Sequence, residues 1–504
     1  MTRAPFNAAS RLAALDGLES EALDVLVIGG GITGAAAARD AAMRGLRTAI
    51  VERDDFASGT SSRSSRLIHG GVRYLEHGEF HLVFEASRER RVLLTIAPGL
   101  VRPLRFTWPV YRGARVPRWQ LRAALTLYDA LALFRNIERH HMRSVAEIEV
   151  IEPALRREEL VGGATYYDAS TDDARLTLAT VRAAADAGAL VVNHAAVRAV
   201  RMEQGAVSGA ELECQLTGRI VRISARCIVN ATGPWSDRVR QLVDPSATGS
   251  VRGTKGAHIS VPRERVGNEA AVAITHPRDG RVMFLLPAGK FTIVGTTDTD
   301  YAGAVDDVCA SAADVEYLLE AANYYAPAAQ LARGDVVAAW AGIRPLVASA
   351  ASTTAAVSRE HAIAMTVPGM LTVTGGKLTT HRLMGAQIVD LAERYLGRSP
   401  TPALTDRALL IEDGDDDDRE PLLSPMSRWR WSHIRRAIRE EMALTIADVL
   451  IRRTTLAFEL RDNGRALAPA VAAMMRKDLG WDAARETAEL VRYGREAARM
   501  FRVE

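Results

Sequence analysis

Cysteine is scarce in this chain. Among 504 residues there are 3, Cys214, Cys227 and Cys309, far apart and never in a C-x-x-C spacing. That excludes a disulfide framework and a cysteine-held zinc or iron-sulfur centre, and it reads as incidental or buried thiols in a reducing compartment with no metal site. Long hydrophobic runs are missing too: no stretch reaches the ~18 apolar residues of a membrane span. The opening "MTRAPFNAASRLAALDGLESE" also lacks the continuous apolar segment of a secretory signal. A cytoplasmic protein is the expectation, and lying on a membrane surface stays open to it. Nor is there an excess of one charge. With 64 Lys and Arg against 61 Asp and Glu, the net charge of +3 gives no reason to expect nucleic acid as a partner. A charged fraction of 25% beside 48% hydrophobic residues excludes a disordered or fibrous chain, and the length points to two or three domains.

What is present begins with "DVLVIGGGITGAAAARDAAMRGLRTAIVER", residues 24–53. A short β-branched strand, a glycine turn, an Ala-rich helix and a second strand make a βαβ unit. Gly29, Gly31 and Gly34 fill the G-x-G-x-x-G spacing. The first permits the tight turn, the second lets backbone approach a pyrophosphate, and the third lets helix and strand pack closely. The helix N-terminus offers free amides to phosphate, and Glu52 ends the second strand where a carboxylate accepts from ribose hydroxyls. This fingerprint alone does not separate FAD from NAD.

Shortly after Glu52 comes "GTSSRSSRLIHGGVRYL" (59–75), with hydroxyls at Thr60, Ser61, Ser62, Ser64 and Ser65 and the backbone amides of Gly70 and Gly71 as neutral donors. The longer stretch "ASGTSSRSSRLIHGGVRYLEHGEF" resembles the flavin loop of the FAD-dependent glycerol-3-phosphate dehydrogenases, in the glycine-oxidase-like flavoprotein superfamily. "NATGPWSD" (230–237), "KGAHISVP" (255–262), "VGTTDTDY" (294–301), "AGIRPLV" (341–347), "VSREHAI" (357–363) and "TVTGGKLTTHRLM" (372–384) resemble the same family in the same order.

The resemblance implies FAD as cofactor. Around it would stand Gly29, Gly31, Gly34, Glu52, Thr60, Ser61, Ser65, Gly233, Gly375, Gly376 and Thr379. It implies oxidation of sn-glycerol 3-phosphate to dihydroxyacetone phosphate by hydride transfer from C2 to flavin N5, with electrons passed to a membrane quinone. His69, Arg344 and Lys377 become the candidate catalytic residues, with His69 the best base because imidazole titrates near neutrality. Arg73 and Arg359 are the choices for the phosphate, since a guanidinium offers a planar bidentate fork; Tyr74 and His258 would complete the substrate side. The family also suggests a homodimer and a peripheral place on the cytoplasmic face of the inner membrane. Trp429 and Trp431, among arginines on a basic amphipathic stretch, would suit lipid or a packed cap equally. A glycerol-3-phosphate oxidase that passes electrons to oxygen is the near alternative, and a non-catalytic flavin-binding protein the distant one. Two departures stand out: His381 occupies an expected tyrosine position, and "LLIEDGDDDDRE" lacks an expected Gly-Gly.

The expected fold is α/β, α+β overall: a Rossmann-like FAD-binding domain, an antiparallel-sheet substrate domain and a helical C-terminal cap domain. Residues 1–80, 165–250 and 340–400 are assigned to the first, 81–164 and 251–339 to the second, 401–424 to an exposed acidic linker and 425–504 to the cap.

Overall fold

The apolar run Ala22–Ile28 is buried from Leu23 onward on both faces, as a strand between helical layers must be. In the computed structural model, which describes residues 3, 5–347, 360–412 and 419–504, this run lies inside an eight-stranded sheet. Its parallel neighbours are Thr48–Val51 and Ile220–Asn230, with Val25 opposite Thr48 on one side and Cys227 on the other. Leu190–Val192 and Met370–Gly375 continue the parallel order outward. His361–Val367 closes one edge antiparallel, and the hairpin Ala195–Glu203/Ala206–Cys214 extends the Ile220–Asn230 strand. Helix Ile32–Met43 packs against both Asp173–Asp186 and His381–Tyr395. The approach is close: a Cβ on Gly385 would lie 2.7 Å from the Ala36 backbone.

The second sheet has ten strands, in the order Thr299–Asp300, Val251–Pro262, Phe291–Gly295, Val282–Ala288, Ala271–Thr275, Val101–Tyr111, Leu160–Thr171 and Leu67–Ile68. Ala338–Val347 pairs on Val251–Pro262, and His141–Arg143 on Leu160–Thr171. Its pairings are antiparallel except where Ala271–Thr275 runs parallel to Val101–Tyr111. Two expected domain boundaries fall inside these strands, at 340 within Ala338–Val347 and at 165 within Leu160–Thr171. Leu67 and Ile68, read as part of the cofactor half, also pair here, with Ser170 and Ala169. Each is a short apolar run whose sheet is chosen by long-range pairing, which alternation along the chain does not encode.

The C-terminal helices Trp431–Glu440, Leu456–Glu459, Ala468–Leu479 and Ala483–Phe501 follow. Ile434, Val449, Val471 and Tyr493 share one apolar core with Phe106, Tyr166 and Trp340 of the second sheet, so the cap and the sheet bury their surfaces against each other. Trp429 is 2% exposed and its indole N–H donates to Thr455 Oγ1 at 2.8 Å, while Trp431 is half-buried. The lipid reading of this tryptophan pair therefore gives way to packing. Part of the linker is packed as well: Leu410 is buried and its N–H donates to the Ile96 carbonyl at 2.6 Å. The acidic run at 413–418 lies outside the described residues. Among the described residues no helix is long and apolar enough to cross a membrane.

Candidate active site

The glycine trio has steric causes. Gly29 has φ +109°, and a Cβ there would lie 2.7 Å from the Ala231 carbonyl oxygen; on Gly34 it would lie 2.0 Å from the oxygen of Gly29. At Gly31, which precedes the helix, an added Cβ would meet only the Ser61 hydroxyl, at 3.2 Å. The helix N-terminus opens on a cavity of about 360 Å³ whose lining includes Glu52, Val197, Trp235 and Arg238 together with Gly375, Gly376 and Lys377. Glu52 accepts from the Gly30 amide at 2.6 Å and from the Asp54 amide at 2.9 Å. Burial and then the Asp54 charge push its carboxyl above the ordinary range, against the pull of those amides. A cavity that brings together a carboxylate, the start of a helix and the close backbone of Gly375 and Gly376 fits the parts of a dinucleotide.

The serine-rich loop is held mostly by its own hydroxyls. Thr60 donates to the Ile343 carbonyl at 2.6 Å, and Ser64 donates to Asp173 at 2.6 Å. Ser61 accepts from the Ile32 amide at 3.0 Å, capping the helix start while keeping its proton as a donor. Ser65, expected beside the cofactor, bonds His258 Nε2 at 2.9 Å and lines a second, smaller cavity. The loop thus ties together the helix, the second sheet and the cavity wall. Gly233 lines the larger cavity with φ +56°.

A second cavity, of about 250 Å³, shares Thr60, Ser64, Pro345, Gly376, Lys377 and Leu378 with the first. His69, Tyr74, His258, Arg344 and Thr379 line it. The His69 amide donates to Thr379 Oγ1 at 3.1 Å, and that hydroxyl donates back to the His69 carbonyl at 3.2 Å, which fixes the loop against the start of the Lys377 segment. Lys377 Nζ stands 3.4 Å from the centre of the Tyr74 ring, and the His69 and Tyr74 rings lie 6.5 Å apart. Arg344 donates from Nη1 to Asp298 at 3.0 Å and from Nη2 to Thr296 Oγ1 at 3.2 Å. His258 is buried; burial, then Arg344 and Arg66, push its imidazole down to about 3. The backbone of Arg73 runs in the turn Val72–His77, while its side chain, like the whole of Arg359, lies outside the described residues.

Sequence reasoning missed Arg281 and Asp298 as partners. Arg281 donates to Asp298 at 3.1 Å, so one carboxylate joins two arginines in the smaller cavity. Asp298 lay inside the quoted "VGTTDTDY", but Arg281 at the head of an apolar strand gave no signal. His381 stands where the family resemblance led to a tyrosine, which left the detail of the wall there open. It is buried and turned back on Leu378, whose carbonyl accepts from Nδ1 at 2.6 Å; burial pushes its imidazole down to about 4.

Fold and site together define a dinucleotide-binding protein, and the match to a family sequence pattern makes it a flavin-dependent oxidoreductase. The sequence pattern described as FAD dependent oxidoreductase matches residues 24–391, and the C-terminal domain of alpha-glycerophosphate oxidase matches 384–486. The chain is 36% identical to a glycerol-3-phosphate dehydrogenase of Mycobacterium leprae, over 94% of this chain and 88% of that one. It is 34% identical to the human mitochondrial glycerol-3-phosphate dehydrogenase, over 95% of this chain and 73% of the other. The crystal structure of a glycerol-3-phosphate dehydrogenase from Bacillus halodurans complexed with FAD aligns with a TM-score of 0.79 at 28% identity, covering 99% and 100% of the two chains. The chain belongs to the FAD-dependent oxidoreductase family, and within it to the glycerol-3-phosphate dehydrogenases.

Proposed function

We propose that the protein oxidises sn-glycerol 3-phosphate at C2 to dihydroxyacetone phosphate, and that a membrane quinone is the final electron acceptor. The observation that carries this reading is the wall shared by the two cavities, where Gly376, Lys377 and Leu378 separate the dinucleotide slot from the space holding His69 and Arg344. Bound FAD supplies the hydride acceptor. The chain does the rest. Its shared wall positions the carbinol carbon, and His69 takes the hydroxyl proton as that carbon becomes a carbonyl. Arg344 and Lys377 hold the substrate oxygen and favour the negative charge that develops on it. Arg73 and Arg359 are the proposed phosphate clamp.

Exposed apolar side chains support the membrane part. On the helices Phe80–Ile96 and Arg118–Leu131 and the turn that follows, Phe80, Phe84, Trp119, Leu127, Leu133 and Phe134 are between 37% and 74% exposed. Arg118, Arg122, Arg135 and Arg139 of the same stretch are exposed as well, and the Arg139 guanidinium lies 5.2 Å from the Phe134 ring centre. That pairing suits the interface of an anionic bilayer. A second reading, oxygen as acceptor with release of hydrogen peroxide, is favoured by the oxidase name of the C-terminal pattern.

An anaerobic titration of the FAD-loaded protein with sn-glycerol 3-phosphate tests the substrate. Bleaching of the flavin is expected, with a soluble quinone restoring colour much faster than oxygen. Fast recovery in oxygen would favour the oxidase, and an unbleached flavin would defeat the substrate assignment and return weight to a non-catalytic flavin binder.

A further inference from the structure

Strand register sets His258 directly opposite Trp340, and their rings stack at 5.5 Å with 11° between planes. On the other side His258 lies over Gly295, where a Cβ would sit 2.2 Å from its ring. Trp340 is 1% exposed and its indole N–H has no hydrogen-bond acceptor among the described residues, so its tilt follows the packing around it. The packing comes from the C-terminal domain. Phe458 meets Trp340 edge-on at 5.1 Å, is backed by Phe501 at 5.0 Å, and lies under the Arg66 guanidinium at 5.1 Å. Its carbonyl accepts from Ser260 Oγ at 3.1 Å, two residues from His258 and on the same face of the strand.

We propose that Phe458 is a positioning residue for the active site: through Trp340 it fixes the His258 ring plane, so that Nε2 meets Ser65 at the substrate cavity. The helical C-terminal domain is then part of the site's framework. This builds on the oxidation reading for its kinetic consequence, while the geometry stands without it. The charged groups facing His258 are Arg66 and Arg344, the latter paired with Asp298. Arg63, His69, Asp168, Arg281 and Lys377 line the same cavity. With Phe458 gone, Trp340 tilts, water reaches the imidazole, and its titration moves toward the ordinary value of about 6.5.

The test uses the full-length, FAD-loaded protein as wild type, Phe458→Leu, Trp340→Phe and Val471→Ala, the last removing methyl groups from another buried position of the helical core. Side-chain NMR, with the His258 signal assigned by His258→Gln, should show no titration above about pH 4 in the wild type and in Val471→Ala. Phe458→Leu should titrate near 6, and Trp340→Phe should shift in the same direction by less. With sn-glycerol 3-phosphate, kcat/KM should drop at least tenfold in Phe458→Leu and stay near wild type in Val471→Ala. Wild-type titration in both ring variants, with only the melting temperature lowered as in Val471→Ala, would overturn the proposal. If Phe458→Leu does not hold FAD, Trp340→Phe decides by the same readout. An unbleached wild type would sink the substrate reading and leave the NMR result to judge this inference.

Discussion

Arg344 donates to Asp298, to Thr296 and to the Thr297 carbonyl, so its guanidinium plane is set before a ligand arrives. A lysine keeps the charge and loses the fork. Arg344→Lys should lower kcat/KM for sn-glycerol 3-phosphate by about 10²–10³, the effect of losing one oriented donor to a developing oxyanion. The flavin spectrum and melting temperature should hardly change; a loss smaller than tenfold would remove Arg344 from the reacting end. His69, Arg344 and Lys377 line one cavity although they lie far apart in sequence, and only the resemblance of their separate motifs to one family put them together beforehand. Arg281 was not legible, because its partnership with Asp298 exists only after Val282–Ala288 and Phe291–Gly295 have paired, bringing together two charges 17 positions apart. A hydroxyl in sequence carries no sign of whether its proton goes to a ligand or, as for Thr60, to a carbonyl of the strand Ala338–Val347.

Among the elements, the βαβ unit was readable from end to end, since strand, turn and helix are specified within one short window and the glycine spacing follows from sterics. Gly34 shows how tight that specification is. Adding the single methyl of Gly34→Ala places carbon 2.0 Å from the Gly29 oxygen, so the helix must move off the strand that carries the turn. Overpacking of this kind costs about 1–3 kcal/mol, and here it falls on the amides that face the cavity. The expected outcome is a lower melting temperature together with a reduced ratio of flavin to protein absorbance. A variant that purifies with full flavin would show that the helix start is not what holds the cofactor. Sheet membership was less readable. Ala338–Val347 straddles the boundary drawn at 340, and only its pairing with Val251–Pro262 shows which sheet holds it.

Across the whole molecule, the cofactor domain and the cap are joined by buried charge. Asp55, three residues after Glu52, accepts from Arg452 at 2.9 Å and from Arg453 at 2.5 and 2.9 Å; Asp448 accepts from Arg452 at 2.8 Å and meets His194 at 2.9 Å. Burial works against an ionised Asp448, but His194, Arg452 and Arg453 outweigh it and hold its carboxyl well below the ordinary range. His258 is likewise held low, at about 3. In both cases the unfolded chain takes up its proton at higher pH than the folded one, so acid favours unfolding. The His258 contribution is complete above about pH 6.5 and drains toward about 3, whereas that of Asp448 drains only below about 4. His258→Gln should therefore lose less melting temperature than wild type between pH 7 and pH 4.5, and parallel curves would refute that assignment. The outer surface supplies the last expectation. Trp119 is 74% exposed and Phe134 53%, in a stretch that also exposes Arg118, Arg122, Arg135 and Arg139, and apolar side chains beside cations suit an anionic lipid surface. In flotation with vesicles containing anionic lipid, the protein should rise at low salt and rise less as salt screens the arginines over a Debye length of about 10 Å at 0.1 M. Replacing Trp119 and Phe134 together by serine should leave it at the bottom of the gradient with flavin reduction by sn-glycerol 3-phosphate unchanged, because neither side chain lines the two cavities. A wild-type protein that stays at the bottom at low salt would detach the membrane from the proposed function and leave the route of the electrons to the quinone and oxygen comparison alone.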